Sequence, residues 1–202
     1  VLVIGADVLT SIVDWRDRLT CCFFGDGAGA VVLSKSSKPG IMGYTLRADG
    51  KGYESILIQE GGSRLRPNNI NINLGLKDGL DFLRMDGKAV WNFATTVFPE
   101  SVKSVAEKAG ISLSDIDLVI PHQANVNIIK EGMKKLDIPI DKAFVNIQKY
   151  GNTASASVFI ALAEAIREGR VMKGNKVAMS SFGAGLAWGA VIAEWLGEQD
   201  FE

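Results

Sequence analysis

The sequence predicts an α/β chain built around an internally duplicated strand pair, and three observations carry that prediction. Short β-branched apolar runs alternate with longer stretches whose apolar residues recur at helical spacing. A glycine-rich pattern occurs twice, as Phe24-Gly25-Asp26-Gly27-Ala28-Gly29 and as Phe182-Gly183-Ala184-Gly185, each time after one apolar run and before another. The composition is 47% hydrophobic and 22% charged over 202 residues with net charge −1, which describes a globular chain large enough for a substantial core.

Taken in order, Val1-Leu2-Val3-Ile4-Gly5-Ala6-Asp7-Val8 has the run of a buried strand and no initiator methionine, so residues are expected to precede it. Leu19-Thr20-Cys21-Cys22-Phe23-Phe24 reads as an apolar strand entering the first glycine pattern, which leads into Ala30-Val31-Val32-Leu33. A dinucleotide fingerprint needs the strand before the glycines and a helix after them, so that a pyrophosphate meets helix N–H groups. The order here is the reverse, and tight strand packing is the expectation. From Gly50 to Gly79 the chain is rich in Gly, Asn and Arg and reads as a long irregular excursion of the kind that lines a substrate channel.

The helices follow. From about Asp86 to Ala109 the residues Val90, Ala94, Val97, Val102, Val105 and Ala109 trace one apolar stripe, with Pro99 a kink and Gly110 a left-handed cap. Ile116-Asp117-Leu118-Val119-Ile120 is a strand, closed by Pro121, which removes a ladder donor. Val126, Ile129, Met133 and Leu136 then mark a helix over about 124–136 with one buried face. A third helix, about Thr153 to Glu168, carries Val158, Leu162, Ala165 and Ile166 on one face. The strand Val177 to Ser181 enters the second glycine pattern, and another follows it.

Chemistry is best sought at the single histidine, His122, in Pro121-His122-Gln123-Ala124-Asn125. It lies at the carboxyl end of a strand, where open α/β sheets place their ligand sites. On position alone, a catalytic group and a core histidine bonded to backbone weigh about equally. Asn152, in Tyr150-Gly151-Asn152-Thr153, sits where an N-cap belongs, and capping by its side-chain oxygen, worth ~1 kcal/mol, is an equal alternative to chemistry there.

Other classes are disfavoured. The charge balance gives no global nucleic-acid or membrane role, and no apolar run approaches the ~20 residues that span a bilayer. Val1 to Ile4 lack the flank of a signal peptide, so cytoplasm is the expectation. Cys21 and Cys22 are adjacent and poorly placed to staple anything, and one histidine with a vicinal cysteine pair matches no zinc-ligand spacing. No metal is expected.

Four motifs together, Phe24-Gly25-Asp26-Gly27-Ala28, Pro121-His122-Gln123-Ala124-Asn125, Gly151-Asn152-Thr153 and Phe182-Gly183-Ala184-Gly185, stand in the order and approximate spacing of β-ketoacyl-acyl-carrier-protein synthase III. The chain resembles that family of thiolase-fold condensing enzymes over its whole length. The resemblance implies a thiolase-like α/β fold: residues 1–36 as the last strand pair of the N-terminal half, and residues 37–202 as the C-terminal half, a mixed five-stranded sheet with helices. It implies an acyltransferase with a Cys-His-Asn site, in which a cysteine thiolate takes an acyl group from acyl-CoA and malonyl-acyl-carrier-protein supplies the attacking carbon, initiating fatty acid biosynthesis. His122 and Asn152 match the family's catalytic His and Asn. Their roles are chemically sound, since an enolate oxygen needs donors and an imidazole Nε2–H beside an amide N–H supplies two.

By the same resemblance the Ala184 N–H is the oxyanion-hole donor, Phe182 packs near the nucleophile, Ala124 and Asn125 lie beside the pantetheine arm, and Leu83, Met85 and Gly87 line the acyl and pantetheine channel. Lys130, Lys134 and Lys135 offer positive charge to an acidic acyl carrier protein, although Asn127 stands where the family often has arginine. No cofactor is implied beyond the substrates. The family's nucleophile lies upstream of the first glycine pattern, where this chain has no candidate. Cys21 and Cys22, read as buried strand residues, are small hydrophobes with a raised pKa. The chain is therefore expected to be the C-terminal portion of a homodimeric synthase, inactive alone, with apolar surface that the absent N-terminal part must cover. A type III polyketide synthase is the nearest alternative but typically ends in a Gly-Phe-Gly-Pro-Gly motif that is lacking here. A noncatalytic scaffold of the same fold is the other.

Overall fold

The computed structural model describes residues 1–61 and 81–196. Strand β1 (Leu2–Val8) pairs antiparallel with β2 (Asp26–Val32), in a register that sets Leu2 opposite Val32 and Gly5 opposite Gly29. A four-stranded sheet contains β3 (Ile41–Ala48), β6 (Leu118–Pro121), β7 (Lys176–Gly183) and β8 (Ala187–Glu194) in the order β3-β8-β7-β6. Only β6 and β7 run parallel; the other pairings in that sheet are antiparallel. The short strands β4 (Ile56–Ile58) and β5 (Leu83–Met85) form a separate pair.

The expected duplication is present as two antiparallel pairs, β1–β2 and β7–β8. Among the described residues the sheet expected to have five strands has four, plus an isolated parallel bridge between Val119 and Ala143. The 3₁₀ turn Ile140–Lys142 precedes that bridge, and a single bond from Phe144 N to Val119 O at 2.9 Å follows it, so no fifth strand develops. A second correction concerns Leu19 to Phe24, which is a succession of turns over residues 19–23 followed by an isolated bridge at Phe24, and not a strand. Asp17 explains this: its carboxylate accepts from Leu19 N at 2.9 Å and Thr20 Oγ1 at 2.8 Å, and its carbonyl accepts from Cys21 N at 3.0 Å. These local bonds displace a ladder.

Helix α1 (Gly87–Ala109) starts at Asp86, whose Oδ1 accepts from Lys88 N and Ala89 N at 3.0 Å each, and ends at Gly110 with φ 69°. Helix α2 (Val126–Leu136) is capped by Asn125, whose Oδ1 accepts from Asn127 N at 2.8 Å. After the single turn α3 (Ile147–Tyr150) and the 3₁₀ turn Ala154–Ala156 comes α4 (Ser157–Arg167). Its buried face is Ala161, Leu162 and Ala165; Ile166, expected on that face, is exposed.

The layers follow from which faces are apolar. All four residues of β6 are buried: Val119 packs with α1 and α2, while Leu118 and Ile120 pack with Ala161, Leu162 and Ala165 of α4. A strand with helices on both faces needs no alternation of polar residues, and β6 has none. Helix α4 lies between the two sheets, with β2 on its other side. That contact depends on missing side chains, since a Cβ on Gly29 would lie 2.7 Å from Phe159 Cβ. The glycine pattern serves close packing, as its order relative to the strand implies. On the opposite face of the pair, Leu2, Ile4, Ala6, Val8, Ala28, Ala30 and Val32 are all exposed.

Candidate active site

His122 lies one residue beyond β6, where its N–H donates to Ser180 O of β7 at 2.7 Å and its carbonyl accepts from Ala124 N at 3.0 Å. Strand and turn thus fix the backbone of this residue. The next residue fixes the turn from the other side: Gln123 is fully buried, and its Nε2 donates to Pro121 O at 2.8 Å and Phe144 O at 3.1 Å while its Oε1 accepts from Asn146 N at 3.0 Å. The amide uses donor and acceptor alike, as a buried polar side chain must.

The imidazole is 6% exposed and stands edge-on to Phe182, with centroids 5.2 Å apart at 79°. Phe93 braces Phe182 in another edge contact, and Trp188 braces Phe93. Burial lowers the His122 pKa to about 4, because the charged ring would lose hydration. The ring is therefore neutral near pH 7, with one nitrogen donating and the other accepting. Nδ1 lies 2.6 Å from Ser157 Oγ, the first residue of α4. Among the described residues Nε2 has no partner.

Asn152 arrives by a different route. Its N–H donates to Phe23 O at 2.8 Å and its carbonyl accepts from Gly25 N at 3.0 Å, so the first glycine pattern holds it in place. Gly151 before it has φ 68° and Ala154 after it φ 45°, and a non-glycine residue in the left-handed region is a local cost that surrounding bonds must hold. One of those bonds runs from Ala154 N to Asn152 Oδ1 at 3.0 Å. The side-chain oxygen thus closes a local turn, but it does not cap a helix as the alternative expects, since α4 starts later, after Ala156, and has no side-chain cap; the same bond aims the Nδ2 donors elsewhere. The approach to Asn152 is held by Glu164 of α4, which accepts from Asn146 Nδ2 at 2.8 Å and from Tyr150 Oη at 2.5 Å. The Tyr150 and Asn146 hydrogen bonds keep the Glu164 carboxyl below its ordinary pKa.

His122 and Asn152 line one open cavity of about 1540 Å³. Phe182, Ala184, Ala124, Asn125, Leu83, Met85 and Gly87 line it as well. Ala184 lies in the turn between β7 and β8, and no hydrogen bond from its N–H is found among the described residues. Asn125 also serves as the cap of α2. Lys130, Lys134 and Lys135 are exposed on α2 and away from the cavity lining; Lys135 Nζ donates to Thr95 O at 3.0 Å. Cys21 is half-buried and Cys22 exposed, which corrects the expectation that both are buried strand residues, and neither lines the cavity. Of the Gly50–Gly79 excursion, Gly50–Ser55 is a 3₁₀ turn capped by Asp49 and Ile56–Ile58 is β4, while residues 62–80 lie outside the described residues. No group of His, Cys, Asp or Glu among the described residues could hold a metal ion.

Sequence reasoning missed Ser157, Gln123 and Glu164, each a polar residue read as part of a turn or helix face. It also missed Val90 and Trp91, which line the cavity from α1. Only a polar residue at helical spacing beneath an apolar stripe could have hinted at Ser157 and Glu164.

A hairpin β7–β8 in a mixed sheet, its counterpart β1–β2 across a shared helix, and a histidine and an asparagine at the ends of elements facing one cavity define the thiolase-fold condensing framework. Residues 1–50 match the family model for 3-oxoacyl-[acyl-carrier-protein] synthase III, and residues 106–195 match the model for its C-terminal part. The chain belongs to the β-ketoacyl-acyl-carrier-protein synthase III family, β-ketoacyl and 3-oxoacyl being two names for one group. It is 46% identical over 195 residues to the β-ketoacyl-[acyl-carrier-protein] synthase III of Symbiobacterium thermophilum, covering 96% of this chain and 58% of that protein. The crystal structure of 3-oxoacyl-[acyl-carrier-protein] synthase III from Aquifex aeolicus superposes with a TM-score of 0.83 at 43% identity, covering 96% of this chain and 57% of that one. The Thermus thermophilus synthase III gives a TM-score of 0.87 at 38% identity, covering 97% and 59%. This chain therefore spans somewhat under three fifths of the length of these relatives.

Proposed function

We propose that the chain supplies the enolate-stabilising part of a condensing site that joins an acyl primer, taken from acyl-CoA, to malonyl-acyl-carrier-protein and so starts fatty acid synthesis. One observation carries the reading: each of the two polar side chains is tied at one end, His122 through Nδ1 to Ser157 and Asn152 through Oδ1 to Ala154, and both residues line the same cavity. That leaves the imidazole Nε2 and the amide Nδ2 for a substrate oxygen.

In the proposed reaction the malonyl thioester carbonyl accepts hydrogen bonds from Nε2–H and Nδ2–H. The bond to the carboxylate breaks, carbon dioxide leaves, and the electron pair passes into an enolate whose oxygen these donors stabilise. The enolate carbon attacks the thioester of an acylated cysteine, and the Ala184 N–H faces the oxyanion of that tetrahedral step. That attack forms the carbon–carbon bond; collapse of the tetrahedral intermediate restores the carbonyl and breaks the carbon–sulfur bond, expelling the thiolate, which takes a proton from solvent. The neutral state of His122 suits a hydrogen-bond donor that is not consumed as an acid.

The thiol is assigned to residues outside this chain, because Cys21 and Cys22 lie off the cavity. The proposal extends to a homodimer of the complete enzyme in the cytoplasm and to an acyl carrier protein docking beside Lys130 and Lys134. Decarboxylation of malonyl-acyl-carrier-protein by the chain together with its N-terminal remainder tests it. His122→Ala and Asn152→Ala should each lower the rate by ~10²- to 10³-fold. If both variants decarboxylate like the parent, the chain is a scaffold of the same fold.

A further inference from the structure

Ser157 Oγ lies 2.6 Å from His122 Nδ1 and also accepts from Gln123 N at 3.4 Å. Both side chains are buried, with Ser157 1% exposed. A hydroxyl has one proton and two lone pairs, and a backbone N–H only donates. The Gln123 bond therefore occupies a lone pair of Ser157 and leaves its proton to be placed. Among the described residues that proton has one acceptor, Nδ1.

The opposite arrangement, with Nδ1–H donating to the hydroxyl, would give Oγ two incoming donors and leave its own proton without an acceptor in a site closed to water. A buried polar hydrogen without a partner carries its full desolvation penalty, enough to decide a balance between tautomers. We propose that Ser157 is a positioning residue that donates its hydroxyl proton to Nδ1 and so fixes His122 in the Nε2–H form, with the remaining donor turned to the cavity. Its place at the head of α4 makes this a property of the fold: the helix shared by the two sheets carries the group that selects the tautomer of a residue on the β6 turn. The consequence for catalysis rests on the proposed function, but the tautomer itself does not.

Because His122 is the only histidine in the chain, ¹⁵N-histidine labelling reports a single imidazole. Spectra of the labelled full chain near pH 7 are expected to show a protonated Nε2 and an unprotonated, hydrogen-bonded Nδ1. A protonated Nδ1 would overturn the proposal without any variant. In Ser157→Ala the Nε2–H preference should be lost to a mixture of the two forms, and in Ser157→Thr, which keeps the hydroxyl, it should return. An unchanged tautomer in Ser157→Ala also overturns the proposal, and if that variant does not fold, the parent spectrum decides. In the assembled enzyme Ser157→Ala should lower kcat for malonyl decarboxylation at least tenfold with KM nearly unchanged. If the parent holds the Nε2–H form but the assembly never decarboxylates malonyl-acyl-carrier-protein, the proposed function fails and the role of Ser157 stands.

Discussion

Asn152 and Phe24 form an isolated parallel bridge, closed by bonds of 2.8 and 3.0 Å to the backbone on either side of Phe24. The first glycine pattern is thus a strut that holds the asparagine through backbone bonds, and its Phe24 lines the cavity. Gly25 is the sensitive point, because a Cβ there would run into the Tyr150 carbonyl oxygen. Gly25→Ala should cost on the order of 2 kcal/mol in urea unfolding. It should also depress malonyl decarboxylation more than a surface substitution of equal destabilisation, since it shifts Asn152.

Burial of His122 makes stability depend on pH. Its native pKa of about 4 lies below the 6.5 of an exposed imidazole, so the unfolded chain binds the proton more readily than the folded one. Stability is complete above about pH 6.5 and falls as the pH drops toward 4, by at most about 3 kcal/mol from this group. Urea midpoints measured from pH 7.5 to 4 should decline, and the decline should be smaller in His122→Phe, which removes the titrating group and keeps a ring. Equal slopes in the two proteins would contradict the assignment.

The exposed face of β1 and β2 is apolar along its length, with Leu2, Ile4, Val8 and Val32 each more than half exposed. Its counterpart sheet is covered by α1 and α2, and under the proposed function a separate N-terminal part covers this one. The chain alone should bind the dye ANS and self-associate with rising concentration, and both effects should disappear when the remainder is supplied. A monodisperse chain that ignores the dye would show that this face needs no cover.

The fold was largely legible because its signals are local. Val119 and Ile120 announce a strand buried on both faces, Gly110 ends its helix as a glycine at that place should, and the repeated glycine pattern marks the two antiparallel pairs. The site was half legible. His122 stands out by being single and Asn152 by its position before a helix, but the residues that orient them are separated from them in sequence or speak a common polar language. Ser157, at the start of α4, looks like any helix-opening serine until its hydroxyl is seen against the imidazole. Leu19 to Phe24 was misread for a related reason: apolar composition argued for a strand, and the Asp17 carboxylate, upstream of the run, decided for turns. Ile166 is exposed because it is the penultimate residue of α4, at the end where the helix runs out.

Two side-chain hydrogen bonds of Gln123, one to Phe144 O and one from Asn146 N, join the turn that carries His122 to the segment that begins at Phe144 and continues to Asn152. Histidine and asparagine are therefore two points on one braced frame, and their separation is set by the protein alone. Substrate binding then has little conformational entropy to remove at these donors. The rate of the decarboxylation step should follow a straight Eyring line with temperature until the frame itself melts, with no earlier bend from a gradual loosening of the pair.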